Sequence, residues 1–407
     1  MDFRDTAEEA RFRGELRGWL AEHSPPEAVA GGRPDDEGAR AWSRRLYDAG
    51  YVGLTWPTEY GGRGLPYTYQ AILVEELARY GARGHLGTIG LNMAGPTILA
   101  WGSEEQKRRL LPPLLAGDEI WCQGFSEPGA GSDLGAVRTT AAADSEHQGD
   151  GEHQDDGKHW DDGEHWVVNG QKVWSSYAHL ADWCILVVRT DPAAAKHAGL
   201  SYLLVDMHAP GVDVRPLTQL TGDPEFNEIF LTDVRVPRGS MLGKPGDGWQ
   251  VAMTTLLHER GTLGFLLVAA LERQLGLLVK LARETAPDGR RPADDPLLRD
   301  AIAREWTVLQ GLRFTNYRSL TALMRTGIPG PEGSVAKLVW SEANQRLTAL
   351  ALSMQGLAAQ LDGPDAVWDG YWQYQQLRSR GNTIEAGTSE ILRNIVAERV
   401  VGLPRSR

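Results

Sequence analysis

Apolar and polar positions alternate along the first 119 residues with the period of an α-helix. Near the N-terminus, Phe12, Leu16 and Leu20 recur at helical spacing. Further along, Ser103 and Gln106 form the capping-box pattern that is typical of a helix start. The pattern therefore predicts a helical region over residues 1–119.

From about Ile120 the pattern becomes that of β-strands. Runs rich in β-branched and aromatic residues predict strands at 183–190, 200–207 and 226–237. The dipeptide Asn169-Gly170 lies between two apolar runs and predicts a two-residue hairpin turn. Residues 120–240 are therefore predicted to form a β region.

Helical periodicity returns after residue 240. Residues 250–284 form one long, largely apolar helical pattern, and a last helix is predicted from about Ser389 to Val401. We expect this last helix to bury Ile391 and Ile395, and to end at Gly402. The order of helices, strands and helices, with the last region at 241–407, predicts an α+β protein rather than an alternating parallel α/β fold.

Composition narrows the class of protein. The 407 residues are 42% hydrophobic and 24% charged, which predicts a globular chain with two or three domains. The charged N-terminus differs from a secretory signal, and no apolar run is long enough to span a membrane. Two cysteines, Cys122 and Cys184, make no disulfide framework, so a reducing cytoplasm is the expected location. Neither lies in a CxxC or Cys/His setting, so both are expected to be buried as small hydrophobic residues. The net charge of −12 argues against nucleic-acid binding.

An acidic repeat with a period of six residues occupies residues 144–165. It carries nine acidic residues and one lysine, and a histidine recurs in each unit. These histidines could form a metal-binding tract, or the segment could be an expanded surface loop. Asp and Gly favour turns, and any repeat that contains histidine spaces it regularly, so we favour the loop and predict no metal site. The recurring histidines are His147, His153, His159 and His165.

The segment WCQGFSEPGAGSDLGAVRTTA, at 121–141, carries the strongest chemical signal. Glycines at 129, 131 and 135 let the backbone approach a ligand closely. Ser126 and Ser132 offer hydroxyl groups, and exposed amides can hold phosphate oxygens. The segment matches neither a Walker loop nor a strand–GxGxxG–helix unit.

SEPGAGSD resembles the flavin-loop signature of the acyl-CoA dehydrogenase family. The resemblance continues through WPTEYGGRG, NGQKVWSSYAHLADW, DVRVP and AGTSEILRNIVAERVVGLP, and it covers nearly the whole chain. It implies a helical N-terminal domain at 1–119, a middle β domain at 120–240 and a C-terminal four-helix bundle at 241–407. It also implies FAD bound between domains, and a homo-oligomer that is a dimer or tetramer.

The resemblance assigns cofactor roles by motif position. Phe125 and Ser126 match residues that contact the flavin ring, and Ser132 and Thr388 match residues at the FAD diphosphate. Trp174 and Ser176 match residues against the flavin. Three further positions of the same motifs complete the expected cofactor set: Gly131, Gly387 and Glu390.

The chain also departs from the family pattern. The family's Arg-x-x-Phe-Gly element, which reaches a neighbouring subunit's FAD, is absent, and residues 283–300 stand in its place. The family's Gln near a Gly-Gly has Gln355-Gly356 as its nearest match. A flavin-binding, non-catalytic subunit of a heteromer therefore remains an alternative.

The position of the catalytic base is a second departure from the family pattern. The family reaction removes an α-proton from an acyl thioester, so it requires a carboxylate and a polarised carbonyl. The expected position holds Ala386, whose backbone amide can still hold the thioester oxygen, and Glu385 comes one residue too early. Some members instead place the base on the first helix of the C-terminal domain, and LLHERG at 256–261 matches their pattern. Glu259 is therefore the predicted base, Glu385 is its rival, and a structural carboxylate is the third reading.

The resemblance thus predicts an FAD-dependent α,β-dehydrogenase of an acyl thioester, carried by CoA or by a carrier protein. The α-proton would go to a glutamate and the β-hydride to flavin N5. Electrons would pass to an electron-transferring flavoprotein. An oxygen-using flavoenzyme of the same fold, similar to nitroalkane oxidases or N-hydroxylases, is the alternative enzyme.

Overall fold

The fold is described from a computed structural model over residues 4–24, 36–144, 164–286, 288–327 and 330–405, leaving aside the side chains of residues 36 and 259–263. The acidic repeat predicted as a surface loop therefore lies almost wholly outside the described residues. In the described part of the chain, five α-helices precede the sheet: α1 (Ala7–His23), α2 (Asp36–Asp48), α3 (Tyr67–Arg79), α4 (Gly95–Trp101) and α5 (Glu104–Ala116). A π-helical segment, Gly90–Ala94, leads directly into α4.

The predicted helix starts are confirmed. Helix α5 begins with a capping box in which the Ser103 hydroxyl accepts from the Gln106 amide, and the Gln106 side chain accepts from the Ser103 amide. The side-chain nitrogen of Gln106, Nε2, donates to the carbonyls of Gly239 and Met241, so the same residue joins α5 to the end of the sheet. On α1, the predicted apolar stripe is buried: Phe12, Leu16 and Leu20.

Seven strands form one mixed sheet: β1 (Trp121–Gly124), β2 (Thr140–Ala143), β3 (His165–Ser176), β4 (Trp183–Arg189), β5 (Leu200–Asp206), β6 (Val212–Leu217) and β7 (Phe226–Pro237). The order is β1-β4-β2-β3-β7-β6, and β5 pairs with β4. β1 runs parallel to β4, whereas β4 and β5, β2 and β3, β3 and β7, and β6 and β7 are antiparallel.

Strand β4 is buried on both faces, which explains its continuous apolar sequence. Trp183, Ile185 and Val187 belong to the core that the sheet shares with the N-terminal helices. Alternate residues belong to a second core inside the sheet. Cys184 is in this second core and stands in register with Cys122, and both thiols are free and buried as predicted. Burial, together with the neighbouring Cys184, raises the pKa of the Cys122 thiol.

The predicted hairpin at Asn169-Gly170 is wrong. Both residues lie inside the single strand β3, whose pairing with β7 shifts register between Val168 and Gly170. The Asn169 side chain exchanges two hydrogen bonds with Asp233, each 2.9 Å long, across this irregularity. A Cβ atom on Gly170 would come within 2.7 Å of the Thr139 backbone, so the glycine permits close packing here rather than a turn.

The C-terminal helices are α6 (Gly248–Arg283), α7 (Pro296–Thr326), α8 (Gly333–Gln355), α9 (Tyr371–Asn382) and α10 (Ser389–Ile395). α6 confirms the long helix predicted over 250–284. The last helix continues as a π-helical segment to Val401 and ends at Gly402 in a left-handed conformation, as predicted. Its buried apolar residue is Leu392, whereas the expected Ile391 and Ile395 are only partly buried.

The three regions meet in a buried hydroxyl cluster. The Thr255 hydroxyl of α6 lies 2.9 Å from the Thr97 hydroxyl of α4 and 3.0 Å from the Tyr202 hydroxyl of β5. Nearby, the Trp101 indole donates to the Thr254 hydroxyl of α6. These contacts fix the start of α6 against both the N-terminal helices and the sheet. Within the described ranges, no helix combines the length and apolar character needed to cross a membrane.

Candidate active site

The glycine loop, residues 125–139, connects β1 to β2. Cβ atoms built on Gly129 and Gly131 would meet nothing within 4 Å, so these glycines face open space. At Gly135 a Cβ would come within 2.8 Å of the His197 ring, so this glycine allows close packing within the protein. Ser132 is exposed and Ser126 is partly buried. The first half of the loop is thus available to a ligand, and the second half is packed.

A buried ion pair lies under the glycine loop. The Lys172 ammonium of β3 donates to Glu127 at 2.8 Å, to the Val187 carbonyl at 2.7 Å and to the Phe125 carbonyl at 3.2 Å. Lys172 is 0% exposed and Glu127 8% exposed. The Glu127 carboxylate also accepts from the Arg138 and Thr139 amides. One lysine and one glutamate therefore hold both ends of the loop against β3 and β4.

The charges of this pair depend on each other. Burial opposes ionisation of Glu127, but Lys172 and the two loop amides hold its pKa below the ordinary value. Burial lowers the pKa of Lys172, and Glu127 partly offsets that shift. Removing either partner would leave an unpaired buried charge.

Two predicted flavin-contacting residues lie at the end of β3. Trp174 has a positive φ of 62° and is 62% exposed, although it is a large aromatic residue. Its ring meets Phe226 edge-on, with centroids 6.0 Å apart. Ser176 is partly buried two residues later. The exposed indole offers an apolar face beside the loop on which a planar ring could pack.

The rival base, Glu385, is already engaged. Its carboxylate pairs with the Arg378 guanidinium at 3.1 Å and accepts from the Asn382 side chain at 2.6 Å. Burial opposes the charge on Arg378, but Glu385 and Glu225 raise its pKa. Arg378 also lies over the Phe226 ring, 5.8 Å from its centroid. Glu385 is therefore part of a network that joins α9 to the strand beside Trp174.

The next residues form the start of the last helix. Ala386 has a positive φ of 50°, and Gly387 has a φ of 95°. The Lys337 ammonium donates to the Gly387 carbonyl at 2.7 Å. Thr388 is the N-cap, and its hydroxyl accepts from the Ile391 amide, which confirms the predicted helix start. Glu390 is exposed, and its own amide and Thr388 lower its pKa.

The predicted base, Glu259, belongs to α6, but its side chain lies outside the described part of the chain. The residue before it, His258, lines a cavity of about 430 Å³. This helical cavity lies between α3, the π-helical segment, α4 and α6. Its apolar wall includes Trp56, Leu73 and Leu77. The stretch of α6 that carries Glu259 therefore borders a space large enough for a sizeable ligand.

Several residues of this site escaped sequence reasoning. Lys172 carries little local signal, because the polar Gln171 precedes it and its partners Glu127 and Val187 come from other segments. Arg378 carries no clear signal either, since it follows Leu377 in a mixed stretch and meets Glu385, seven residues later, only through the turn after α9. The helical cavity is formed by separate segments that only the packing of α3 against α6 brings together.

The residues present fit a flavin dinucleotide. The open half of the glycine loop gives the backbone room to approach a ligand, and Trp174 gives an exposed aromatic face. Phe125 and Ser126 lie on the same loop as Ser132, which suits a ligand with an aromatic ring and a diphosphate. Among the described residues, no cluster of three or more His, Cys, Asp or Glu side chains could hold a metal ion.

Three family models together match most of the chain. They describe the acyl-CoA dehydrogenase N-terminal domain at residues 6–118, the middle domain at 122–234 and the C-terminal domain at 246–401. A relative named acyl-CoA dehydrogenase IpdE1, from Mycobacterium tuberculosis, is 44% identical over 97% of both chains.

Two solved structures are similar over the full length. One is titled Tcur3481-Tcur3483 steroid ACAD, with a TM-score of 0.83, 29% identity and 100% coverage of both chains. The other, titled the ChsE4-ChsE5 complex from Mycobacterium tuberculosis, has a TM-score of 0.82, 31% identity and the same coverage. These likenesses confirm the predicted arrangement of a helical, a β and a second helical domain.

Proposed function

The chain belongs to the acyl-CoA dehydrogenase family, and from this premise we propose that it catalyses FAD-dependent α,β-dehydrogenation of a bulky, polycyclic acyl-CoA thioester. As a member, it is an acyl-CoA dehydrogenase-type flavin oxidoreductase. The observation that carries the proposal is the helical cavity, which reaches α6 at the residue before Glu259. It gives the acyl group a place beside the proposed base.

FAD, when bound, accepts the hydride that leaves the β-carbon. Phe125, Ser126, Trp174 and Ser176 would hold its ring, and the loop and last-helix motif would hold its diphosphate. The positions in those two motifs are Gly131, Ser132, Gly387, Thr388 and Glu390.

The chain's own residues would prepare the α-carbon for proton loss. The Ala386 amide is proposed to donate to the thioester oxygen, which makes the α-proton more acidic. That role requires only a backbone N–H, so an alanine fills it. Glu259 is proposed to accept the proton, because Glu385 is held by Arg378 and Asn382. The intact ion pair at Glu385 supports the assignment to α6.

The proposed acyl class has two supports. The cavity of about 430 Å³ is large for a short straight chain. A structure that is similar over its whole length is titled a steroid ACAD. We therefore favour a polycyclic acyl group, and CoA rather than a carrier protein as its thiol.

We also propose that a second, related chain completes the FAD site. The family's Arg-x-x-Phe-Gly element, which reaches the neighbouring subunit's cofactor, is absent here. Two similar structures carry names of paired chains. A homo-oligomer remains the alternative, and copurification of the chain with its genomic neighbours, followed by FAD quantification, separates the two.

Anaerobic mixing with a panel of acyl-CoA thioesters tests the proposed reaction. We expect a polycyclic acyl-CoA to bleach the oxidised flavin absorbance of the FAD-loaded assembly. Reoxidation should be fast with an electron-transferring flavoprotein and slow with oxygen. Fast reoxidation by oxygen would favour the oxygen-using alternative. A flavin that no thioester reduces would contradict the proposal and favour a non-catalytic subunit.

A further inference from the structure

The described polar groups that line the helical cavity are electrically neutral. Among the described residues that line it, none is a lysine, arginine, aspartate or glutamate. Burial lowers the pKa of His85 to about 4 and also lowers the pKa of His258. Both imidazoles are therefore neutral near pH 7. A carboxylate placed here would find no opposite charge among the described lining residues.

Among the polar side chains that line the cavity, Tyr51, Thr55, Trp56 and Tyr67 have no hydrogen-bond partner in the described part of the chain, and neither do three amide or imidazole side chains. These three are Gln70 of α3, Asn92 of the π-helical segment and His258 of α6, and all three are partly buried. By contrast, His85 Nδ1 accepts from the Gly87 amide at 2.9 Å, and the Thr88 hydroxyl donates to the His85 carbonyl at 2.8 Å. Thr88 and one ring nitrogen of His85 are therefore engaged, His85 Nε2 is buried with no partner among the described residues, and the amides of Gln70 and Asn92 and the imidazole of His258 are available to a ligand.

The three available groups come from three different elements. Gln70 and Asn92 each offer an amide donor and an acceptor, and the neutral imidazole of His258 offers one of each. A π-helical segment inside a helix is a frequent feature of ligand sites, and Asn92 lies on one. The surrounding wall is apolar, as in ligand pockets where a few placed polar groups set the orientation.

We propose that Gln70, Asn92 and His258 are specificity-determining residues for a neutral oxygen substituent, a ketone or hydroxyl, on the acyl ring system. This inference rests on the proposed function and specifies the substrate at the same site. A pure hydrocarbon would leave these groups without partners. A dicarboxylic acyl group would place an unpaired charge among neutral groups.

Binding to the FAD-loaded assembly tests the inference, with decahydronaphthalene-2-propanoyl-CoA and its ring-oxo derivative as a matched pair. We expect the oxo compound to bind at least about tenfold more tightly, since a site built for a hydrogen bond rejects the analogue that lacks it. Glutaryl-CoA should bind more weakly than either compound. Calorimetry on the assembly after its flavin has been reduced gives dissociation constants without turnover.

Variants identify the residues responsible. We expect His258→Leu, Asn92→Leu and Gln70→Leu each to weaken binding of the oxo compound about three- to tenfold, the range of a single hydrogen bond. The triple variant should bind both compounds equally, and unchanged affinity for the deoxo compound would show that the cavity is intact. Leu99→Met, which alters the apolar wall alone, should keep the preference.

Equal affinity of the wild type for both compounds, or a preference that survives the triple variant, would overturn the inference. In both cases flavin reduction by the deoxo compound would leave the proposed dehydrogenation standing. Absence of flavin reduction by every thioester would contradict the proposed function instead, so the two failures are distinguishable.

Discussion

Two ion pairs flank the candidate flavin site, and they differ in burial. Lys172 and Glu127 are joined at 2.8 Å with side chains 0% and 8% exposed. Arg378 and Glu385 are joined at 3.1 Å with side chains 24% and 30% exposed. Breaking a buried pair strands a charge in the interior, whereas a partly solvated pair is screened by water. The first pair therefore stabilises the fold, and the second mainly keeps the Glu385 carboxylate bound to Arg378.

The buried pair should give the largest stability effect. Lys172→Met should lower the free energy of unfolding by about 3–5 kcal/mol, because Glu127 would remain as an unpaired buried charge. It should also weaken FAD binding, since Lys172 bonds to Glu127 and to the Phe125 carbonyl of the glycine loop. Denaturant unfolding and flavin fluorescence measure the two effects.

Lys196→Met is the matched control for this experiment. Lys196 pairs with Asp133 of the same loop, but both side chains are more than half exposed. We expect a loss of no more than about 1 kcal/mol. Equal losses in the Lys172 and Lys196 variants would remove the distinction between buried and exposed pairs.

The pH dependence of the buried pair has a defined sign. Because the folded-state pKa of Glu127 lies below its ordinary value of 4.5, its ionisation stabilises the fold above about that pH. The stabilisation is lost as the pH falls through the lowered folded-state pKa. The difference in unfolding free energy between wild type and Glu127→Gln should therefore shrink as the pH is lowered below about 4.5. A constant difference across that range would contradict the assigned shift.

The partly exposed pair should contribute much less. Glu385→Gln keeps the shape of the side chain and its hydrogen bond with Asn382, but removes the charge that faces Arg378. We expect the free energy of unfolding to fall by no more than about 1 kcal/mol. Thermal or denaturant unfolding measures this loss, and a loss as large as that of Lys172→Met would show that the second pair is also structural.

The smallest expected effect concerns the backbone beside Glu385. Ala386 has a φ of 50°, in a region that costs an L-residue roughly 1–2 kcal/mol and glycine nothing. Ala386→Gly should therefore be neutral or stabilise by up to about 1 kcal/mol after the greater chain entropy of glycine is counted. Ala303→Gly, in the exposed middle of α7, should instead destabilise by about 1 kcal/mol. A destabilised Ala386→Gly protein would contradict this account of the turn.

Sequence periodicity and capping signals predicted four of the helices (α1, α5, α6 and α10) and three of the strands (β4, β5 and β7), because each follows a local rule. The capping box at Ser103 and the long α6 are examples. The same local rule failed at Asn169-Gly170, where packing against Thr139 requires the glycine and the strand continues. Motif matching identified Trp174 and Thr388 as candidate site residues. The pairing of Lys172 and the neutral polar residues of the cavity depend on contacts between distant segments, and the pairing of Arg378 with Glu385 depends on the turn after α9; no local pattern records either.

The most direct test of the account is rapid-mixing flavin reduction in Glu259→Gln and Glu385→Gln, compared with the wild type, using a thioester that reduces the wild-type flavin. Substrate should still bind to both variants. Glu259→Gln should slow reduction by roughly 10²–10⁴-fold, because the basic oxygen is lost. Glu385→Gln should be close to the wild type, because that carboxylate is paired with Arg378. A near-normal Glu259→Gln beside an inactive Glu385→Gln would reverse the assignment, and two active variants would contradict proton removal by either residue.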